Sequence, residues 1–296
     1  MKVQTWEYVM SASLSVGKSA IRLRRMLMGS CLALTVGCAA TPGPGEQLAT
    51  AARSGDVATT RALVNKGIDI NAGARDGQTA LFVASVSDHP EVVRMLLNNG
   101  ADIEATELSQ GATALIAASL KGNREVVQLL LDRGANVEAR TTTGLTALIM
   151  ASRNANLDVV TVLLSKGANV NAQEIHGATG LMLAAYRDNY MMVSELLDNG
   201  ADPNLANSEG GTALMAASTG DDMAVVQALL AKGANVNARN SRGMTALNAA
   251  KNTGIRDLLV RAGAGPWSLS VNLCAGHNER QGGVLCRAER RKLTEL

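Results

Sequence analysis

Nucleophilic, acid–base or metal chemistry would have to come from very few side chains in this 296-residue chain. It holds three histidines, His89, His176 and His277, and four cysteines, Cys31, Cys38, Cys274 and Cys286. A nucleophile needs a base within hydrogen-bond reach, and the base needs a group to orient it. His89 stands just before an apolar helical stripe, where it reads as a helix cap. His176 stands in a connecting loop and His277 in the C-terminal tail. No nucleophile–base pair is suggested, and Cys274, His277 and Cys286 are too few for a four-ligand zinc site. No catalytic residue, metal or cofactor is therefore expected. In an oxidising compartment Cys274 and Cys286 would close a disulfide loop over Gly282-Gly283; the alternative is a disordered basic tail with free thiols.

The segment from Ala12 to Ser19, ending Gly17-Lys18-Ser19, resembles a loosened phosphate-binding loop with Ala12 in place of the first glycine. Such a loop works between a strand and a helix, where its backbone N–H groups face phosphate. No such unit follows, so nucleotide binding is not expected. Arg22, Arg24 and Arg25 then precede an apolar run from Met26 to Val36, which ends in Gly37-Cys38-Ala39-Ala40. A basic start, an apolar run and small residues after it predict a secretory signal over residues 1–38. The run is shorter than the roughly 20 residues that a spanning helix needs. Leu34-Thr-Val-Gly-Cys38 resembles the bacterial lipobox, although Thr35 stands where that motif favours leucine. The resemblance implies lipid attachment at Cys38; simple cleavage nearby and a chance apolar run are the alternatives. Residues 39–45, rich in Pro and Gly, are expected to be a tether.

The elements that would carry any site are built from an unusual mixture. Hydrophobic residues make up 47% of the chain but aromatics only 2%, so Ala, Val, Leu and Met must fill the interior. Small aliphatic side chains suit thin layers, each packed only on its neighbours. Of the net charge of +2, residues 1–38 hold +4 and residues 264–296 hold +2, which leaves −4 on the middle. A nucleic-acid binder concentrates positive charge on its folded body, so that class is disfavoured.

Self-similarity settles the architecture. Thr-Ala-Leu or a close variant begins at Thr79, Thr113, Thr146, Thr179, Thr212 and Thr245, at intervals of 34, 33, 33, 33 and 33 residues. Glycines after a Leu-rich stretch keep the same beat at Gly67, Gly100, Gly134, Gly167, Gly200 and Gly233. The pattern Gly-x-Thr-Ala-Leu-x-x-Ala, then Val-Val-x-x-Leu-Leu-x-x-Gly-Ala, resembles the ankyrin repeat. The resemblance implies an all-α ankyrin-repeat solenoid, with helix-turn-helix units joined by β-hairpin fingers. It covers residues 46–264 as about seven repeats: 46–78, 79–112, 113–145, 146–178, 179–211, 212–244 and 245–264. Residues 265–296 are left as a basic tail.

The residues explain the shape. Thr79 opens a first helix, in which small Ala84 and Ser85 let the next repeat approach closely. A polar residue restarts the chain as a helix cap at His89, Asn123, Asn156, Asn189 and Asp222. Pro90 suits the first helical position. Val92, Val93, Leu96 and Leu97 form an apolar stripe at helical spacing, and Gly100 ends that helix in a left-handed conformation. Glu46, Thr59 and Thr60 replace the usual residues of the first repeat, where a polar outer face is expected. The apolar residues Phe82, Ile116, Ile149, Met182 and Met215, and Asn248, stand where the family pattern has histidine.

The resemblance implies that a concave face of first helices and fingers grips another protein. The seventh and eighth residues after each Thr place Lys121, Arg153, Tyr186 and Arg187 along that face. Arg and Tyr are enriched among binding hot spots, and a basic stripe would favour an acidic patch on a partner of unknown identity. The alternative is that these are ordinary solvated positions. Tyr190 is expected to pack, and Arg140, Glu174, His176, Arg239 and Arg242 are expected at finger tips. The resulting expectation is a non-enzymatic interaction scaffold at a bacterial cell envelope, facing the periplasm on a lipid anchor. A secreted or host-directed ankyrin effector is the runner-up.

Overall fold

The structure is a computed structural model and describes residues 42–74 and 76–265. The chain divides into two units, Met1–Thr41 and Pro42–Leu296, and the described residues all belong to the second. The expectations for the signal segment, Cys31, Cys38, Cys274, Cys286, His277 and residues 266–296 lie outside the described residues.

Among the described residues fourteen helices follow one another in pairs. They are α1 Pro44–Arg53 and α2 Val57–Asn65; α3 Ala80–Val86 and α4 Pro90–Asn98; α5 Ala114–Lys121 and α6 Arg124–Asp132; α7 Ala147–Arg153 and α8 Leu157–Ser165. Then come α9 Gly180–Tyr186 and α10 Tyr190–Asp198; α11 Ala213–Ala217 and α12 Met223–Ala231; α13 Ala246–Ala249 and α14 Thr253–Arg261. Helices of this length are marginal alone in water. Stacking stabilises them: each first helix packs on the next first helix, and each second helix on the next second helix.

One threonine starts every first helix from the second pair onward. Thr79, Thr113, Thr146, Thr179, Thr212 and Thr245 each accept the backbone N–H of the third helical residue. That residue is Phe82, Ile116, Ile149, Met182 or Met215, all buried, and finally Asn248, which returns the bond to Thr245 as a capping box. The position where the resemblance implied histidine is thus part of the apolar core in five of the six helices. Two places further on, Ala84, Ala118, Ala151, Ala184 and Ala217 are fully buried where first helices meet. Gly180 is smaller still, because a Cβ there would come within 2.8 Å of the Ser152 Oγ.

The second helices end at Gly67, Gly100, Gly134, Gly167, Gly200, Gly233 and Gly263, with φ between 82° and 93°, a conformation that only glycine adopts cheaply. Beyond them a polar ladder ties the repeats together. The side-chain oxygens of Asn71, Glu104, Glu138, Asn171, Asn204 and Asn237 accept backbone N–H groups of Asp102, Asn136, Asn169, Asp202, Asn235 and Gly265 in the following repeat.

Several expectations are corrected. Residues 44 and 45 are not tether: Pro44 is the first residue of α1, and Gly45 is buried, with a Cβ there only 2.7 Å from the Gly73 carbonyl oxygen. Thr60 is not part of a wet outer cap but is fully buried, its hydroxyl donating to the Asp56 carbonyl at 2.6 Å. The fingers are tight turns rather than β-hairpins; among the described residues a single isolated bridge, Gln173 with Thr179, marks a strand-like pairing. They are nonetheless joined tip to tip. The N–H groups of Leu108, Thr142, Ile175, Ser208 and Ser241 donate to carbonyls of Asp76, Gln110, Thr143, His176 and Glu209 in the preceding finger.

Candidate partner-binding face

Each first helix runs from its finger to a short turn that leads into the second helix, so the turn lies at the end remote from the finger. Lys121 is the last residue of α5, Arg153 the last of α7 and Tyr186 the last of α9, with Arg187 capping it. The structure therefore places these four side chains at equivalent ends of three successive, mutually packed first helices. Lys121 and Arg187 are exposed; Arg153 and Tyr186 are half-buried.

Among the described residues the charges of Arg153 and Arg187 have no counter-ion. Burial lowers the tendency of the Arg153 guanidinium to hold its proton, and the neighbouring Arg187 cation lowers it further. Among the described residues neither guanidinium, nor the Lys121 ammonium, has an ion pair or a side-chain hydrogen bond. Three cations that cap the C-terminal ends of second helices are bonded instead. Lys166 pairs with Asp132 at 2.8 Å, Lys232 with Asp198 at 2.9 Å, and Arg133 donates to Asn98 at 2.9 Å, each bond crossing to the preceding repeat.

Acid lies one turn further along the stack. Asp188 has φ 54°, a left-handed conformation unusual outside glycine, and its Oδ2 accepts the Asp221 N–H at 3.2 Å. Burial raises its carboxyl above the ordinary aspartate range, and the neighbouring Asp222 and Asp221 raise it further, against the opposing effect of that backbone bond. Its Oδ1 is buried without a hydrogen-bond partner.

Other expected surface groups turn out to be structural. Glu174 is not at an open finger tip; it is 9% exposed and accepts the N–H groups of His176 and Ala178. Arg140 and Arg239 donate to finger carbonyls of Gly144 and Gly243. Conversely, Tyr190 does not pack away: it is 43% exposed at the start of α10, beside Met191 at 62%. Of the residues expected to cap the second helices, Asn189 and Asp222 do so, accepting the N–H groups of Met192 and Ala224, while the other three reach across a repeat boundary instead. His89 Nε2 lies 3.0 Å from the Arg53 carbonyl, Asn123 Nδ2 donates to Ser85 and Val86 carbonyls, and Asn156 Nδ2 donates to Ser119 and Leu120 carbonyls. All three fasten a repeat to its predecessor.

Among the described residues no group of three or more His, Cys, Asp or Glu side chains could hold a metal ion. No described helix is long and apolar enough to cross a membrane. An open hollow of about 640 Å³ beside α1, lined by Pro44, Gly45, Glu46, Lys66, Ile68 and Asp69 among others, has no hydroxyl, thiol or imidazole side chain in its lining.

A family model described as "Ankyrin repeats (3 copies)" matches residues 36–107, 104–174 and 181–267. Among solved structures the chain is similar to the human ASB11 ankyrin repeat domain, with a TM-score of 0.67 and 25% identity, covering 74% of this chain and 99% of that one. It is also similar to the ankyrin repeat domain of Bcl-3, a member of the IkappaB protein family, with a TM-score of 0.66 and 30% identity, covering 73% of this chain and 97% of that one. A curated relative, cortactin-binding protein 2 of Dasypus novemcinctus, is 38% identical over 77 residues, which is 26% of this chain. The chain thus spans 5% of the length of that relative.

Proposed function

The chain belongs to the ankyrin-repeat family, and from that premise we propose that it is a non-enzymatic scaffold that captures an acidic patch of another protein through Lys121, Arg153, Tyr186 and Arg187. The observation that carries the reading is a pair of guanidiniums without a counter-ion among the described residues, Arg153 half-buried and Arg187 exposed, on adjacent repeats. A desolvated cation without a counter-ion is unfavourable in the free protein, so a carboxylate presented by a partner gains more there than at an open surface. Tyr186 adds apolar area beside the charges, as binding hot spots commonly do. Repeats joined from finger to finger present these side chains on a stiff framework, which reduces the ordering needed on binding.

The test is capture by crosslinking in cells, comparing the native chain with the triple substitution Lys121→Glu, Arg153→Glu and Arg187→Glu. Loss of the captured protein with unchanged helicity is expected; undiminished capture would remove this face from the proposal. The setting belongs to the same reading: the lipobox-like end at Cys38 supports a periplasm-facing lipoprotein of a bacterial envelope. Labelling with palmitate should follow Cys38 and vanish in Cys38→Ala. A soluble, unlabelled chain delivered outside the cell would instead support the host-directed effector.

A further inference from the structure

The row of turns between first and second helices carries opposite charges on its two sides. The fourth pair contributes Arg153, the fifth contributes both Arg187 and Asp188, and the sixth contributes Asp221 and Asp222. The basic side lacks an acidic partner among the described residues, and the acidic side lacks a basic one. Immediately after these turns the second helices each begin with an apolar residue, and in α10 and α12 the second residue is apolar too, whereas Asp158 stands second in α8. Tyr190 and Met191 open α10, Met223 opens α12 and is 45% exposed, and Leu157 opens α8 half-buried. The equivalent positions in earlier repeats hold Pro90-Glu91 and Arg124-Glu125.

A sequence of charges that runs basic, mixed, acidic is its own complement when it is turned end for end. Two-fold dimers exploit this, because one patch then faces itself with the order reversed. We propose that a second copy of the chain docks on this row about a two-fold axis over the fifth helix pair, Arg153 facing the partner's Asp221 and Arg187 facing the partner's Asp188. Tyr190 and Met191 then lie at the axis, where apolar area is most completely removed from water, and Leu157 comes opposite the partner's Met223. The half-buried Arg153 and the half-buried Asp188 thereby each gain a counter-ion. A foreign acidic segment would satisfy the arginines but would leave Asp188 and Asp221 uncompensated. Self-association needs no captured protein, so its test is separate from that of partner capture, although the dimer covers Arg153 and Arg187.

The experiment is sedimentation velocity on the purified full chain, at ionic strength well below about 0.1 M, where screening between exposed charges is weakest. A dimer that dissociates as salt is raised is expected. The double substitution Arg153→Glu with Arg187→Glu should sediment as a monomer, and so should Asp188→Lys with Asp221→Lys. An equimolar mixture of the two should restore the dimer, since every facing pair then has opposite signs. If lysine at the left-handed position 188 prevents folding, as circular dichroism would show, Asp221→Lys alone replaces it, with association expected to weaken roughly tenfold or more. A monomeric native chain at low salt, dimers of either double variant as tight as the native one, or a mixture that stays monomeric would each overturn the proposal.

Discussion

The Oδ2 atom of Asp188 accepts the backbone N–H of Asp221 at 3.2 Å, while its Oδ1 is buried without a hydrogen-bond partner. Burial, together with Asp222 and Asp221, raises this carboxyl above the ordinary value of 3.8. A group whose folded affinity for protons exceeds its unfolded one supports the fold fully only below the unfolded value, and that support is lost as pH rises through the folded value. At neutral pH the ionised Asp188 therefore works against the fold. Asp188→Asn removes the charge, keeps an acceptor for Asp221, and supplies a donor to the neighbouring carboxylates. Asparagine also tolerates the left-handed conformation at φ 54°. A gain of a few tenths to about 1 kcal/mol at pH 7 is expected, shrinking toward zero below the aspartate range. Urea unfolding at the two pH values measures it; an equal gain at both would mean that charge is not the cause.

Asn156 spans two repeats, its Nδ2 donating to the carbonyls of Ser119 at 2.9 Å and Leu120 at 3.1 Å. Those carbonyls belong to the end of α5, where helical partners run out. Asn156→Ala leaves both to find water at a partly covered position and should lower stability by about 1–3 kcal/mol. Asn156→Asp is expected to be worse, although it is nearly isosteric, because a carboxylate has no donor and would confront two carbonyl oxygens. Denaturant titrations of both variants check the order; an aspartate variant as stable as the native chain would show that the side chain acts only as a spacer.

The stack is legible from residues whose requirement is local. A threonine that caps its own helix and a glycine at positive φ each satisfy a need within three or four residues, so the need recurs visibly every 33. Residues that act across the repeat boundary are harder to read. Asn156 stands where any helix cap would stand, and its real acceptors lie 37 and 36 positions earlier. Glu174 looks like a finger-tip charge until its turn closes over it. Pro44 and Gly45 look like tether because the surface that buries Gly45, the Ala72 and Gly73 carbonyls, is nearly thirty residues away. Repeat spacing puts Lys121, Arg153 and Arg187 at neighbouring positions of successive repeats, but neither the partial burial of Arg153 nor the acidic turn beside it follows from that spacing.

Gly180 occupies the first position of α9, where the other first helices from the second pair onward have alanine. Alanine ordinarily stabilises a helix relative to glycine by about 1 kcal/mol. Here its Cβ would lie 2.8 Å from Ser152 Oγ, a hydroxyl held in place by its bond to the Leu148 carbonyl. Gly180→Ala is therefore expected to destabilise, by about 1–2 kcal/mol, through overpacking between successive first helices. Combining it with Ser152→Ala removes the colliding oxygen and should recover most of the loss. Thermal unfolding of the two single variants and the double one forms a cycle. Simple additivity would show that the two positions do not meet.

Two glutamates close the same kind of finger turn, and their different bonding gives opposite expectations for one conservative change. Burial pushes the Glu107 carboxyl up, but bonds from the Ser109 hydroxyl and from the N–H groups of Ala112, Ser109 and Gln110 outweigh it and hold the carboxyl below its ordinary 4.5. Both oxygens are engaged: Oε2 by the N–H and hydroxyl of Ser109, Oε1 by the N–H groups of Gln110 and Ala112. Glu174 uses only Oε1, which accepts from His176 and Ala178. Asn207 and Asn240 perform that same task with a single amide oxygen, so a carboxylate is not required for it. Glu107→Gln sets an NH2 group against two donors and should lower stability at pH 7 by roughly 1–3 kcal/mol. Glu174→Gln should change it by less than about 0.5 kcal/mol. The folded Glu107 binds its proton less readily than the unfolded one, so its contribution is full above 4.5 and is lost as pH falls through the folded value. The deficit of Glu107→Gln should accordingly close in acid. Urea midpoints for both variants across that range decide the matter, and a deficit that persists unchanged in acid would assign the loss to packing instead of charge.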